Sequence, residues 1–170
     1  SWERHIDYRW NPEAIREALK NYDGIRPQES EKMGTFKISY YLDGDKVPGK
    51  REIVRHLRQK GLSVRVIHSR NQYLDILPIR ASKGHAVGFL TVKWGLAPNH
   101  VLVAGDSGND EDMLKGNVLG VVVGNHSPEL KKLKGGYRIY FAGKENAGGI
   151  LEGIRHYDFL GNIKLSGEDQ

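Results

Sequence analysis

The fold is decided by the stretch VLVAGDSGNDEDM, residues 101–113. Four apolar residues lead directly into Gly105 and Asp106, and Asp110 follows four positions later. This order predicts a buried parallel strand, a tight turn that contains glycine, and the first turn of a helix. Open α/β sheets bind ligands at the carboxyl ends of their strands, so the two carboxylates are expected to face one point. Such carboxylates, with water and a phosphate oxygen, suit Mg²⁺.

A plain strand–turn–helix connection, in which Asp110 only caps the helix, is the alternative interpretation of this stretch. A Gly-Asp pair alone would favour that alternative. The complete run GDSGND after an apolar strand favours the functional interpretation instead.

The chain around this stretch divides into two regions with different patterns of predicted helices and strands. Residues 11–80 predict a small α+β unit: a helix from Pro12, a strand over Thr35–Leu42, a helix from Pro48, and strands over Leu62–His68 and Tyr73–Ile79. In residues 82–157, predicted helices and strands alternate as in a Rossmann-like half-sheet. The helices begin at Ser82 and Ser127 and span Glu111–Leu114 and Gly149–Tyr157. The strands end at Gly105, Val123 and Phe141. Residues 1–10 show no clear element, and Leu165–Gln170 is expected to be a frayed tail.

Bulk composition narrows the functional classes. The formal net charge of the 170 residues is +5, but the basic residues are spread along the chain, which favours a solvated surface over a nucleic-acid site. The absence of cysteine excludes disulfides and thiolate metal sites. No run approaches the ~20 apolar residues of a membrane span, and no leader is visible, so we expect a cytoplasmic protein without a membrane partner. The seven histidines show no close zinc-ligand spacing, and we assign none of them a metal.

Lys83 is the candidate cation of the site. It lies 23 residues before Asp106, at the predicted start of a helix. There its ammonium group and the helix N-terminus would both favour a phosphate group. An ordinary surface lysine is the alternative, and the pairing with GDSGND favours the functional interpretation.

Several motifs resemble those of a known family. GDSGND resembles the fourth motif of haloacid dehalogenase-type phosphatases, and Lys83 stands where their third motif places a lysine. The stretches FKISY (36–40), YLDILP (73–78) and ASKGHA (81–86), with HID (5–7) and Trp10, resemble the sucrose-phosphate phosphatase family, which includes the C-terminal domains of sucrose-phosphate synthases. The resemblance covers nearly the whole chain. It implies an α/β fold in which residues 1–80 form an α+β cap and residues 81–170 form the C-terminal half of a haloacid dehalogenase core.

The resemblance also implies an activity and a set of site residues. The family hydrolyses sucrose 6-phosphate with Mg²⁺, through an aspartyl-phosphate intermediate. By this resemblance Asp106 would ligate Mg²⁺, Asp110 would support the metal site, and Lys83 and Asn109 would contact phosphate. The family's cap recognises the sugar, and the candidates on matching segments are Gln28, Lys37, Asn71 and Asp75. Each of three candidates also has a structural interpretation: Lys37 as a solvated strand residue, Asn71 as a turn residue and Asp75 as a buried hydrogen-bond partner.

The family's first two motifs are expected upstream of the cap. The first is an apolar strand ending in Asp-x-Asp-x-Thr, which supplies the nucleophile, and the second is a Ser or Thr. We therefore expect the nucleophile upstream of Ser1 and expect the 170-residue chain alone to be inactive. The alternative is a non-catalytic domain of a sucrose-phosphate synthase, in the same or another chain, that binds sugar phosphate or a partner.

A second Asp-x-Asp run offers another candidate nucleophile. The stretch YLDGDKV, residues 41–47, follows an apolar strand, and Ser69 could serve as its second motif. Asp43 would then be the nucleophile of a small phosphatase without a cap. Asp-Gly is also a common hairpin-turn signal, and residues 36–40 match the family's cap, so we favour a turn here.

Overall fold

The computed structural model describes residues 1–43, 47–69 and 72–161, and its internal contacts divide the chain into the units Ser1–Ala81 and Ser82–Gln170. We call these the first and second units. The candidate sugar contact Asn71 lies outside the described residues, as do residues 44–46 of the second Asp-x-Asp run and the expected tail.

The first unit is a four-stranded antiparallel sheet with helices, and its strands lie in the spatial order β1-β2-β4-β3. Its strands are β1 (Ile25–Pro27), β2 (Ile38–Leu42), β3 (Val64–Ser69) and β4 (Tyr73–Pro78), and its helices are α1 (Trp2–Ile6), α2 (Pro12–Leu19) and α3 (Lys50–Gln59), with a 3₁₀ turn at Ser30–Lys32. One face of the sheet packs on α2 and α3. That core comprises Ile15, Leu19, Ile38, Tyr40, Ile53, Leu57, Val64, Val66, Leu74 and Ile76.

Two elements of the first unit were not predicted from the sequence. Helix α1 begins because the Ser1 hydroxyl accepts a hydrogen bond from the Arg4 N–H at 3.3 Å, and the helix buries Ile6. Strand β1 is three residues long and pairs antiparallel with β2. Both elements are too short to show a periodic pattern, so only their partners in the fold define them.

The sheet core offers a direct test of packing in the first unit. Ile76 of β4 is fully buried, whereas Ile67 on the neighbouring strand is 37% exposed. We expect Ile76→Val to lower the free energy of unfolding by about 1 kcal/mol, because it removes a buried methylene group. Ile67→Val is the matched control and should change this free energy by less than about 0.5 kcal/mol. Urea titrations of both variants measure this free energy. Equal losses of stability in the two variants would contradict the assignment of Ile76 to the core face and Ile67 to the opposite face of the sheet.

The second unit is built on a parallel sheet in the order β5-β6-β7. Its strands are β5 (Leu102–Gly105), β6 (Leu119–Val122) and β7 (Ile139–Phe141), and its helices are α4 (Lys83–Lys93), α5 (Glu111–Leu114) and α6 (Asn146–His156). Shorter 3₁₀ turns lie at Pro98–His100, Gly108–Asp110 and Pro128–Leu133. Every residue of β6 is buried, which explains its continuous apolar sequence. The predicted α/β class, with a Rossmann-like parallel sheet and an α+β unit, is confirmed.

One predicted helix of the second unit has a different form. The segment after Ser127 is a six-residue 3₁₀ helix. Its buried residues, Leu130 and Leu133, are three positions apart, which a 3₁₀ helix places on one face. The helix ends at Leu133, and Gly135 two residues later has a φ of 82°.

The parallel sheet positions the candidate site. Because the three strands run in the same direction, Asp106 after β5, Asn125 after β6 and Lys144 after β7 all follow the same edge of the sheet. In the described parts of the chain, no helix has both the length and the apolar character needed to cross a bilayer.

Candidate active site

The loop after β5 presents Asp106 to solvent. Asp106 is the first residue beyond the strand and is exposed. Its carbonyl oxygen accepts a hydrogen bond from the Ser127 N–H at 2.7 Å, which ties the loop to the segment that follows β6. The main chain of Asp106 is therefore fixed while its carboxylate faces outward at the carboxyl edge of the sheet.

Asp110 is the buried carboxylate of the loop, and only 4% of the residue is exposed. Its Oδ2 accepts hydrogen bonds from the N–H groups of Asp106 at 3.2 Å and Ser107 at 3.4 Å. A Cβ at Gly105 would lie 2.5 Å from the Asp110 Cβ, so only glycine allows this approach. Asp110 therefore holds the main chain of the loop from within.

Lys83 reaches this carboxylate from the start of α4. Its Nζ lies 2.5 Å from Asp110 Oδ1, and about half of the Lys83 side chain, 54%, remains exposed. The structure thus brings together Lys83, Asp106 and Asp110, which the sequence predicted as the catalytic set. Lys83 is anchored by one carboxylate and accessible to a second anion from solvent.

The helix N-terminus makes a smaller contribution than the sequence suggested. The Ser82 hydroxyl accepts the N–H of His85, and the Asp112 Oδ2 accepts the N–H of Gly84. Two N–H groups of the first turn of α4 are therefore already satisfied. An anion at this end would be bound mainly by the Lys83 side chain.

The pKa of Asp110 reflects its surroundings. Burial of the carboxyl group would raise this pKa, but the hydrogen bonds from Lys83, Asp106 and Ser107 together with the Lys83 charge hold it below the usual value of an aspartate. The group is thus ionised at neutral pH, as a partner of Lys83 must be.

This lowered pKa predicts a pH dependence of stability. The ionised Asp110 stabilises the second unit fully above the usual aspartate pKa of about 4, and this stabilisation is lost as the pH falls through the lower pKa of the folded state. We expect Asp110→Asn to lose that part of the acid dependence. Urea unfolding of both proteins from pH 6 down to about 3 is the measurement, with exposed Asp7→Asn as control. Identical acid dependence in wild type and Asp110→Asn would contradict the lowered pKa.

Ser107 orients Asn109 in the same loop. Its hydroxyl donates to Asn109 Oδ1 at 2.6 Å, which engages the oxygen of the amide, whereas an anion would require the NH₂ group. Ser107 and Asp110 also form a reciprocal capping box. This role of Ser107 was not predicted, although the pattern Ser-x-x-Asp in the sequence is a known signal of a capping box.

The oxygen donors of the loop fit a hard divalent cation. Asp106 supplies an outward carboxylate, and Asp110 supplies a second one four residues later whose oxygens already accept hydrogen bonds. Among the described residues, no group of three or more His, Cys, Asp or Glu side chains is arranged to hold a metal ion. Mg²⁺ needs no such group, because one or two carboxylates, water and a substrate phosphate complete its shell.

Three of the sugar-contact candidates surround one buried serine of the first unit. Ser39 is fully buried, and its hydroxyl donates to Asp75 Oδ1 at 2.6 Å. Lys37 Nζ lies 3.7 Å from the same carboxylate oxygen. The N–H of Gln28 donates to the Ser39 carbonyl at 2.9 Å, and its side-chain amide donates to the Tyr40 carbonyl at 3.1 Å. Gln28, Lys37 and Asp75 therefore form a polar cluster on the sheet face opposite the core.

Asp43 lies in a different setting from Asp106. It follows β2, whose neighbours β1 and β4 both run antiparallel to it. Its Oδ2 accepts a hydrogen bond from Arg26 Nε at 3.3 Å. The structure therefore places Asp43 directly after a strand of an antiparallel sheet, which argues against a phosphatase built on the run YLDGDKV.

Comparisons with known proteins agree with the motifs at this site. A family model described as sucrose-6F-phosphate phosphohydrolase matches residues 1–158. Sucrose-phosphatase 1 of Nicotiana tabacum is 31% identical over 169 residues, covering 92% of this chain and 39% of that protein. Mannosylfructose-phosphate phosphatase of Agrobacterium fabrum is 31% identical over 150 residues, covering 87% of this chain and 60% of that protein. This chain is thus much shorter than these relatives.

A solved structure extends the similarity to three dimensions. The sucrose-phosphatase of Synechocystis sp. PCC6803, crystallised in complex with sucrose and phosphate, superposes with a TM-score of 0.76 at 33% identity. The match covers 94% of this chain and 67% of that one. The haloacid dehalogenase-like protein yhjK of Bacillus subtilis shares the fold at 21% identity, with a TM-score of 0.61.

Proposed function

The chain belongs to the sucrose-6F-phosphate phosphohydrolase family, and from this premise we propose that it forms part of a Mg²⁺-dependent phosphatase that acts on sucrose 6-phosphate. The observation that carries the proposal is the pair formed by Lys83 and the buried Asp110, 2.5 Å apart, beside the outward carboxylate of Asp106. A half-exposed cation and an exposed carboxylate at the carboxyl edge of a parallel sheet suit a phosphate ester and its metal ion.

Lys83 and Asn109 are the proposed phosphate contacts. The ammonium of Lys83 offsets negative charge on the transferring phosphoryl group, and the NH₂ of Asn109 donates a hydrogen bond to one of its oxygens. Asp110 holds the Lys83 ammonium group beside the loop, and Ser107 holds the oxygen end of the Asn109 amide. Both contacts are therefore oriented before substrate binds, which is what electrostatic stabilisation of a transition state requires.

Asp106 is the proposed Mg²⁺ ligand, with Asp110 supporting the site from behind. Bound Mg²⁺ would neutralise phosphate charge and orient the phosphate for in-line attack. The hydrogen bonds of Asp110 to the N–H groups of Asp106 and Ser107 fix the main chain from which the Asp106 carboxylate projects.

The proposed nucleophile is an aspartate from outside these 170 residues. Its carboxylate attacks phosphorus, the sugar hydroxyl leaves, and water then hydrolyses the aspartyl-phosphate. Two facts support an outside origin: the sequence contains no Asp-x-Asp-x-Thr, and the relatives are longer than this chain.

The first unit is the proposed source of sugar selectivity. Gln28, Lys37 and Asp75 provide hydrogen-bond donors and an acceptor on one face of a sheet, and hydroxyl groups of a sugar need both. Asn71 remains a predicted member of this set. The synthase alternative has no support from the tobacco, Agrobacterium and Synechocystis relatives, which are phosphatases by name.

Phosphate release from a panel of sugar phosphates tests the proposal. The full-length gene product is assayed with and without Mg²⁺ on sucrose 6-phosphate, mannosylfructose phosphate and glucose 6-phosphate. We expect Mg²⁺-dependent turnover with a preference for sucrose 6-phosphate, and a weaker preference in Lys37→Met and Asp75→Asn. Preference for another substrate would correct the sugar, whereas an inert protein that still binds sugar phosphate would favour the non-catalytic alternative.

A further inference from the structure

Helices α4 and α5 approach each other very closely at Gly84. A Cβ on Gly84 would lie 2.7 Å from the main-chain oxygen of Asp112 and 2.8 Å from its carbonyl carbon. These are main-chain atoms, so a side chain at position 84 would force the two helices apart. The residue before Gly84 is Lys83, and the two helices therefore meet next to the Lys83–Asp110 pair.

The Asp112 carboxylate makes this contact specific. Its Oδ2 accepts a hydrogen bond from the Gly84 N–H at 3.3 Å, within the first turn of α4. Two consecutive residues of α4 are thus held by two carboxylates of the following segment: Lys83 through its side chain by Asp110, and Gly84 through its main chain by Asp112. The ammonium group of Lys83 alone could swing on its flexible stem, but the main chain beneath it is fixed by this second contact.

We propose that Asp112 is a positioning residue, which sets Lys83 for phosphate by fixing the start of α4 through Gly84. The effect on phosphate rests on the proposed function, whereas the contact itself does not. Asp112 touches neither the phosphate nor the metal in this account. Its role is to keep the Lys83 stem at the distance at which the ammonium group meets both Asp110 and an incoming anion.

The test combines an exchange measurement with a binding measurement on the same variants. Amide hydrogen exchange of Gly84 reports the contact, and calorimetric titration with inorganic phosphate reports the consequence. Asp112→Ala should speed the exchange of the Gly84 amide and weaken phosphate binding by roughly fivefold or more, since a charge-assisted contact is lost. Asp112→Asn keeps an acceptor oxygen and should stay close to wild type in both measurements.

Glu111→Ala is the matched control. Glu111 is the neighbouring acid on α5, but it pairs with Lys115 and Lys132 instead of α4. It should leave the Gly84 exchange and the phosphate affinity unchanged. Faster exchange with unchanged phosphate affinity in Asp112→Ala would overturn the inference, because Asp112 would then only cap a helix. Unchanged exchange would overturn it as well.

Failure of the proposed function gives a different pattern. If wild type binds no phosphate and Lys83→Met leaves the calorimetric titration unchanged, both the proposed function and this inference fail. If wild type binds phosphate in a manner that depends on Lys83 but not on Asp112, only this inference fails.

Discussion

Lys83→Met is expected to lower kcat/KM for phosphate release by roughly 10²–10³-fold, because it removes a positive charge aimed at the transferring phosphoryl group. The same change is expected to cost about 1–3 kcal/mol of stability in the second unit. The stability cost arises because Asp110 is buried and would lose the cation that lies 2.5 Å from its Oδ1. One substitution thus has two effects with different physical origins.

A double variant separates these two effects. Lys83→Met with Asp110→Asn removes the buried charge along with its partner, so much of the stability should return. The activity should not return, since the cation at the phosphate is still missing. Lys93→Met, at the other end of α4, is the matched control and should retain full activity. Recovery of activity in the double variant would mean that Lys83 acts only as a structural partner of Asp110.

Asp106→Asn is expected to abolish most Mg²⁺-dependent turnover, by about 10³-fold or more, because a metal contribution of several kcal/mol depends on its carboxylate. The variant should fold with nearly unchanged stability. Asp106 is exposed, and the contact that fixes its place in the loop is made by its main-chain carbonyl, which the substitution keeps. Turnover with and without Mg²⁺, measured beside a urea titration, tests both halves of this prediction.

Asp43→Asn is the informative companion to Asp106→Asn. Asp43 lies at the end of an antiparallel strand and pairs with Arg26, so its loss should leave turnover intact. Loss of turnover in Asp43→Asn with retention in Asp106→Asn would reverse the account and move the nucleophile to the first unit. Equal free energies of unfolding in the two variants would show that their difference in turnover comes from the lost carboxylate and not from lost folding.

The sequence predicted the local structure around the candidate site, because one continuous stretch contains it. Residues 101–113 contain the strand, the turn and the helix start that place Asp106, Asn109 and Asp110. Lys83 was a candidate from its place at a helix start before GDSGND and from the family resemblance, but its contact with Asp110 spans 27 positions and was not predicted.

Other contacts could not be read from the sequence. The Gly84–Asp112 contact depends on the packing of two helices, and the burial of Ser39 depends on its strand register opposite Asp75. Ser39 is completely buried, and its hydroxyl donates to Asp75 Oδ1. Ser39 and Asp75 are 36 positions apart in the chain, so their contact depends on which strand pairs with β2.

The most direct test of the central claim is a crystal structure of the protein grown with Mg²⁺ and inorganic phosphate, compared with that of Lys83→Met. We expect an anion within hydrogen-bonding distance of Lys83 Nζ and the Asn109 amide, with a metal ion on the Asp106 carboxylate, and no anion there in the variant. An anion that binds only elsewhere, or one that persists beside residue 83 in Lys83→Met, would contradict the central claim.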